Sequence, residues 1–153
     1  MSHWVPLTLA DLSAVFNADE LSACTQGEFT PYVEETLGDI VAIVREAVAA
    51  NQANQLSADQ ELIPRSLRPA ALDIAAVRLL KRFALTVTEE RKSAAAAAEQ
   101  RLEAVRRAES PVLNESGALP TAPAHRPAIV APRPAYGNDG VGFYPVPDQA
   151  GRR

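Results

Sequence analysis

Apolar residues return every three or four positions through roughly the first 110 residues of this chain, and then the return stops. Spacing of that kind marks helices with one buried face. A short opening unit comes first. Thr8 is placed to cap a helix over residues 9–16, with Asp11 three residues on in the box position and Leu9, Leu12 and Phe16 on one face. Residues 17–24 continue as a second short helical turn, which Gly27 breaks. Elements this short are not stable alone, so the unit must pack on the longer helices after it.

The second helix carries the clearest pattern. Thr30 is expected as its N-cap and Pro31 as its first residue, where the missing N–H costs nothing. At 100° per residue Val33, Leu37, Ile40, Val41, Val44, Ala47 and Val48 fall in one arc, and Glu34, Glu35, Asp39, Arg45 and Glu46 fill the other side. The helix should end near residue 50, after about 30 Å at ~1.5 Å per residue. The polar residues 51–61 form the connecting loop.

A turn over residues 64–68 should lead into a third helix that reaches about Leu85, with Pro69 in its first turn. Leu72, Ala75, Ala76, Leu79, Leu80 and Phe83 form its apolar arc, and Asp73, Arg78, Lys81 and Arg82 lie opposite, which makes it the central core helix. A fourth helix is capped by Thr86 or Thr88, runs through the alanines at 94–98 and stops before Pro111. Leu102 and Val105 are its only large apolar residues, so its face is thin and open to close neighbours. Short loops predict antiparallel packing. The expected fold is all-α: a small antiparallel helical bundle over residues 1–110, with one short N-terminal helix and three longer ones.

Residues 111–153 change character. They hold eight of the twelve prolines and five of the seven glycines, yet only seven charged residues. Disordered segments are usually charge-rich and poor in large apolar groups; this one carries Ile129, Val130, Tyr136, Val141, Phe143, Tyr144 and Val146. Extended at ~3.1 Å per residue it would reach on the order of 130 Å, against a radius of gyration of ~13 Å for the body. It reads as an extended Pro/Gly-rich arm that docks on other copies or on a partner, with Ile129, Val130, Tyr136, Phe143 and Tyr144 as anchors. The bland alternative is a tail without fixed order.

Charge is divided along the chain. The total is −4, but residues 1–61 set ten acids against the single base Arg45, whereas residues 62–110 carry six acids and ten bases. The two halves can pair internally or between subunits. Arg78, Lys81 and Arg82 form a basic stripe, with Arg65 and Arg68 before it and Arg91 and Lys92 after it. It reads as a solvated face or as a contact for phosphate or for an acidic subunit face. The acidic first half argues against general nucleic-acid binding.

Reactive chemistry finds little support. Glu34–Glu35 and Glu89–Glu90 are neighbours on helices, pointing about 100° apart in first turns where acids favour the dipole. His3 and His125 have no metal-ligand spacing around them, and Cys24, the only cysteine, allows neither an internal disulfide nor a thiolate cage. No phosphate loop or nucleophile elbow is present. No catalytic residue, metal or cofactor is expected. The first residues lack a secretory pattern and no stretch approaches ~20 apolar residues, so a cytosolic site of synthesis is expected.

The helical segments together resemble the small head–tail connector proteins of tailed bacteriophages, also called adaptor or head-completion proteins, those of Mu-like prophages most of all. The resemblance covers roughly residues 7–110. It rests on the opening Leu7-Thr8-Leu9-Ala10-Asp11-Leu12, the acidic helix after Thr30-Pro31, and the Ala/Glu/Arg-rich last helix. Residues 64–83 carry most of it: a proline start, Leu72-Asp73-Ile74-Ala75, and a basic run from Arg78 to Arg82. The long arm departs from the compact members of that family.

The resemblance implies a structural virion protein at the head–tail junction, made and assembled in the host cytoplasm and without a membrane anchor. It would form a homo-oligomeric ring beneath the portal protein, contact tail or tail-completion proteins, and surround DNA that passes without sequence-specific binding. An acidic lumen lets DNA slide without sticking; Glu34, Glu35, Asp39 and Glu46 would face that lumen or a neighbour's basic stripe. Two competing readings are a helical adaptor whose Pro-rich tail recruits a protein, and a nucleic-acid regulator using Arg78, Lys81 and Arg82.

Overall fold

In the computed structural model, which describes residues 2–120, the chain is mostly helical, with a short opening helix and three longer ones. It departs from the all-α expectation in one element, a two-stranded sheet. β1 (Trp4–Pro6) pairs antiparallel with β2 (Leu62–Pro64), so that Trp4 faces Pro64, Val5 faces Ile63 and Pro6 faces Leu62. Each strand is three residues long and ends in proline, too short for a period of two and marked as a turn by composition. Proline survives in a two-stranded sheet because both strands are edges.

After β1 a 3-10 helix spans Leu9–Ala14, tighter than the predicted α-helix. Asp11 accepts a hydrogen bond from the Thr8 backbone N–H at 2.9 Å, and Leu12 and Phe16 are buried. α1 (Ala18–Thr25) has a reciprocal cap: Asn17 Oδ1 accepts from the Glu20 N–H at 2.8 Å, while Glu20 accepts from the Asn17 N–H at 3.0 Å. α2 (Thr30–Ala49) starts one residue earlier than expected, with Phe29 at the cap position and Thr30 already helical. All seven residues of its predicted apolar arc are buried.

A 3-10 turn (Arg65–Leu67) leads directly into α3 (Arg68–Arg82). α3 is the central helix. Five of the six residues of its predicted arc are buried, Phe83 lies past the helix end and is half-buried, and Ala70, Ala71, Ile74 and Val77 are buried besides, so α3 meets neighbours on nearly every side. α4 (Glu89–Arg106) takes its cap from Thr88 and buries Ala95, Ala98, Leu102 and Val105. Their spacing of three, four and three is a single narrow seam, and alanine at its first two positions permits close approach. α3 and α4 pack most extensively on each other, and α2 touches both.

Both α3 and α4 end with a non-glycine residue in the left-handed region, Ala84 at φ 54° and Ala108 at φ 62°. After α3 the Leu85 N–H reaches the Leu80 carbonyl at 2.8 Å and the Ala84 N–H that of Lys81 at 3.2 Å. After α4 Glu109 and Ala108 repeat the pattern on Ala104 and Val105, at 2.9 and 3.1 Å. These bonds satisfy carbonyls that a helix end otherwise leaves open.

Residues 111–118 do not leave the body. Val112 is buried, and the Trp4 indole N–H donates to the Leu113 carbonyl at 3.1 Å. A turn closed by Asn114, whose N–H meets the Ala118 carbonyl at 2.9 Å, lies against His3. Gly117 suits that turn through its φ of 86°, a conformation other residues rarely adopt; a Cβ would also stand 2.5 Å from Nε2 of the exposed His3 side chain, which would have to turn aside. The expectation that everything after Pro111 seeks a foreign surface therefore fails for this stretch, because its apolar groups find partners at the N-terminus. By compactness the chain divides into two units, Met1–Ala122 and Pro123–Arg153.

Arg45, assigned to the polar side of α2, is a structural clamp. Its Nη1 donates to the Asp59 and Leu62 carbonyls at 2.8 Å each, its Nη2 to the Ser57 carbonyl at 2.9 Å, and its guanidinium lies 5.7 Å from the Trp4 ring centroid. Only a planar fork reaches three carbonyls and a ring face together. Arg45→Ala is expected to lower stability by about 2–3 kcal/mol in urea unfolding, because charge-assisted bonds are lost and carbonyls stranded. Arg45→Lys should recover less than half of that loss; full recovery would contradict the fork.

Candidate functional site

The charged residues singled out in the sequence separate into two groups. Arg82 is occupied within the chain. Its Nη2 meets Glu35 Oε2 at 2.8 Å, its Nη1 meets Thr36 Oγ1 at 3.2 Å, and its guanidinium lies 4.8 Å from the Tyr32 ring centroid. α2 and α3 thus use one acid and one base on each other, in a surface pair that leaves Arg82 39% and Glu35 61% exposed. Glu34, Asp39 and Glu46 on α2 are exposed, as are Arg78 and Lys81 on α3, and none of these five makes an ion pair among the described residues.

The rest of the basic stripe thins in the same way. Arg68 pairs with Asp11. Arg91 takes both Glu20 oxygens at 2.8 Å, adds the Val15 carbonyl at 2.9 Å and stacks over Phe16. Lys92 meets Glu89 at 2.6 Å. These bases fasten the opening segment and α4's first turn, which leaves few for phosphate. Arg78 lines a shallow groove of about 480 Å³ with Glu99, Glu103 and Arg106.

The anchors Ile129, Val130, Tyr136, Phe143 and Tyr144 lie outside the described residues. Sequence reasoning missed an aromatic patch nearer the start. Phe29 and Phe83 meet edge to face at 5.2 Å, and Phe29 and Tyr32 remain 39% and 48% exposed. Phe29 reads as part of a loop and Tyr32 falls outside the apolar arc of α2, so neither stood out.

The candidate catalytic groups are dispersed. Glu34 and Glu35 point apart, Glu89 is held by Lys92, and His3 covers Gly117. Cys24 is buried, and burial, with Glu20 nearby, pushes its thiol up, away from the reactive thiolate. Asp73 lines a cavity of about 450 Å³ with Glu20, Glu90 and Arg91, and burial raises its carboxyl. Among the described residues no group of three or more His, Cys, Asp or Glu side chains is placed to hold a metal. No described helix is long and apolar enough to cross a membrane.

No protein-family model, curated protein or solved structure matches this chain.

Two of the internal carboxylates shift downward. The Arg91 guanidinium holds Glu20 below its ordinary range against the opposing effect of burial, with the Asn17 N–H assisting. For Asp11 burial acts upward and is the largest single effect, but the Thr8 and Arg68 hydrogen bonds together outweigh it and leave the carboxyl low. A carboxyl lowered by folding contributes stability above its unfolded value and loses it as pH falls through its folded one. Acid unfolding should therefore set in below about pH 4.5, the ordinary glutamate value. Glu20→Gln should lower stability at pH 7 and flatten its decline between pH 5 and 3 (roughly the carboxylate range), as read by urea midpoints across pH. An unchanged slope would contradict the assignment.

Proposed function

We propose that this chain is a structural subunit of a homo-oligomeric ring, the head–tail connector of a tailed bacteriophage, in which neighbouring copies meet acidic face to basic face. The observation that carries the reading is the division of charge after folding. Internal pairing absorbs Glu35, Arg82, Arg68 and Arg91, and it leaves Glu34, Asp39 and Glu46 exposed on one helix with Arg78 and Lys81 exposed on another. Two different patches of opposite sign on one subunit favour a heterologous contact, and a heterologous contact that closes makes a ring. The segment of strongest family resemblance, residues 64–83, includes the central helix and carries both Arg78 and Lys81 on its surface.

In this reading the protein acts by geometry. The ring joins the portal to the tail and leaves an axial channel for DNA, which passes without base recognition. The work is done by interface energy, and no bond is made or broken. The exposed aromatics Phe29 and Tyr32 favour a second reading, an adaptor that holds a protein partner, because aromatic residues with a neighbouring arginine are frequent anchors of interfaces.

Charge reversal separates the two. Asp39→Lys with Glu46→Lys should abolish the assembly at low salt, as measured by mass in solution. The same reversal combined with Arg78→Glu and Lys81→Glu in one chain should restore it, because both faces have then changed sign. Assembly unaffected by the first pair, or not restored by the four together, would overturn the proposed contact.

A further inference from the structure

A groove of about 520 Å³ runs along α2 beside the end of β1. Its floor is Leu37, Gly38 and Val41, and Pro6 to Leu9 form one wall. Among the described residues, the ionisable groups that line it are the carboxylates of Glu34 and Glu61, both exposed. Past Gly38 a smaller hollow continues along the helix to Ala42 and Arg45.

Gly38 is the anomaly. Glycine inside a helix costs about 1 kcal/mol relative to alanine. Among the described residues nothing lies within 4 Å of where its Cβ would stand, so the body's own packing does not call for it. A missing side chain at the floor of a groove suits the close approach of another backbone.

The sequence supplies a segment with the matching chemistry. Residues 126–133 read Arg-Pro-Ala-Ile-Val-Ala-Pro-Arg: six residues without charge, with Ile129 and Val130 at the centre, bracketed by two arginines. Prolines at both ends of the apolar run favour an extended strand of low entropy. The charge balance agrees. Residues 121–153 carry four bases and two acids, whereas residues 1–120 carry eleven bases and seventeen acids.

We propose that residues 126–133 of one copy lie in the Gly38 groove of a neighbouring copy, with Ile129 and Val130 over Leu37 and Val41, and Arg126 and Arg133 toward Glu34 and Glu61. The proposal rests on the ring reading and names the segment and the surface by which copies are laced together. Gly38 lets the strand settle on the helix, and the paired arginines set its position along the groove.

Cross-linking in the full chain tests it. Gln60 is exposed and lines the groove, and Cys24 is buried, so Gln60→Cys with Val130→Cys places the only accessible thiols at the proposed contact. Mild oxidation should give a ladder of covalently joined chains. Adding Gly38→Leu should suppress the ladder while raising the thermal unfolding midpoint, since leucine is the better helix former. Arg126→Glu with Arg133→Glu should slow cross-linking about ten-fold, as two partly exposed ion pairs warrant, and Glu34→Arg with Glu61→Arg should restore it. A disulfide formed only within single chains would overturn the placement on a neighbour. Rings of the expected mass that yield no ladder would overturn the groove contact and leave the ring reading standing. A chain that stays monomeric throughout would overturn both.

Discussion

The burial of one indole organises the ends of this chain. Trp4 is 1% exposed in a body with few aromatic residues, and it is held from three directions. Its backbone belongs to β1, its ring lies beneath the Arg45 guanidinium, and its N–H donates to the Leu113 carbonyl. A buried indole needs a partner for its N–H, and a guanidinium packed against it needs acceptors for its fork. Those two demands draw the N-terminus, the loop before β2 and the stretch after α4 onto one end of α2. A three-residue strand pair would not survive without them.

The charges then divide the labour. Arg68, Arg82 and Arg91 each tie a carboxylate from earlier in the chain, so that three of the bases in the second half fasten the acidic first half to the bundle. Arg91 does so bidentately and partly out of water, where such a pair gains both strength and geometry. Surface pairs such as Lys92 with Glu89 add little. Of the charged residues singled out in the sequence, those left without an ion pair among the described residues divide by helix: Glu34, Asp39 and Glu46 on α2, Arg78 and Lys81 on α3. The proposed ring uses that remainder, and the proposed arm contact uses the acidic rim around Gly38.

Legibility tracked periodicity. The inner face of α2 and most of that of α3 could be read directly, because seven and six apolar residues repeat at helical spacing with few interruptions. The start of α4 was readable only to within two residues, as Thr86 or Thr88, and the structure takes Thr88. β1 and β2 were not, since Trp4–Pro6 and Leu62–Pro64 are too short to show alternation and their prolines read as breaks. Arg45 was hidden for another reason. A lone base on a polar helix face looks solvated, and only the three-dimensional path of residues 57–62 reveals its acceptors. The same limit concealed the pairing of Glu35 with Arg82, since helical spacing gives the face of a residue but not which helix comes to rest beside it. Gly38 showed no signal in the sequence because a single glycine in a strongly apolar helix does not break the pattern.

The most direct measurement of the central claim is the mass of the purified full chain in solution at low and at high salt. A closed ring joined by oppositely charged faces should appear as one discrete multiple of 16.4 kDa at low ionic strength and dissociate as salt screens the contact. A single species of 16.4 kDa under all conditions, at concentrations well above those of the assembly experiments, would contradict it.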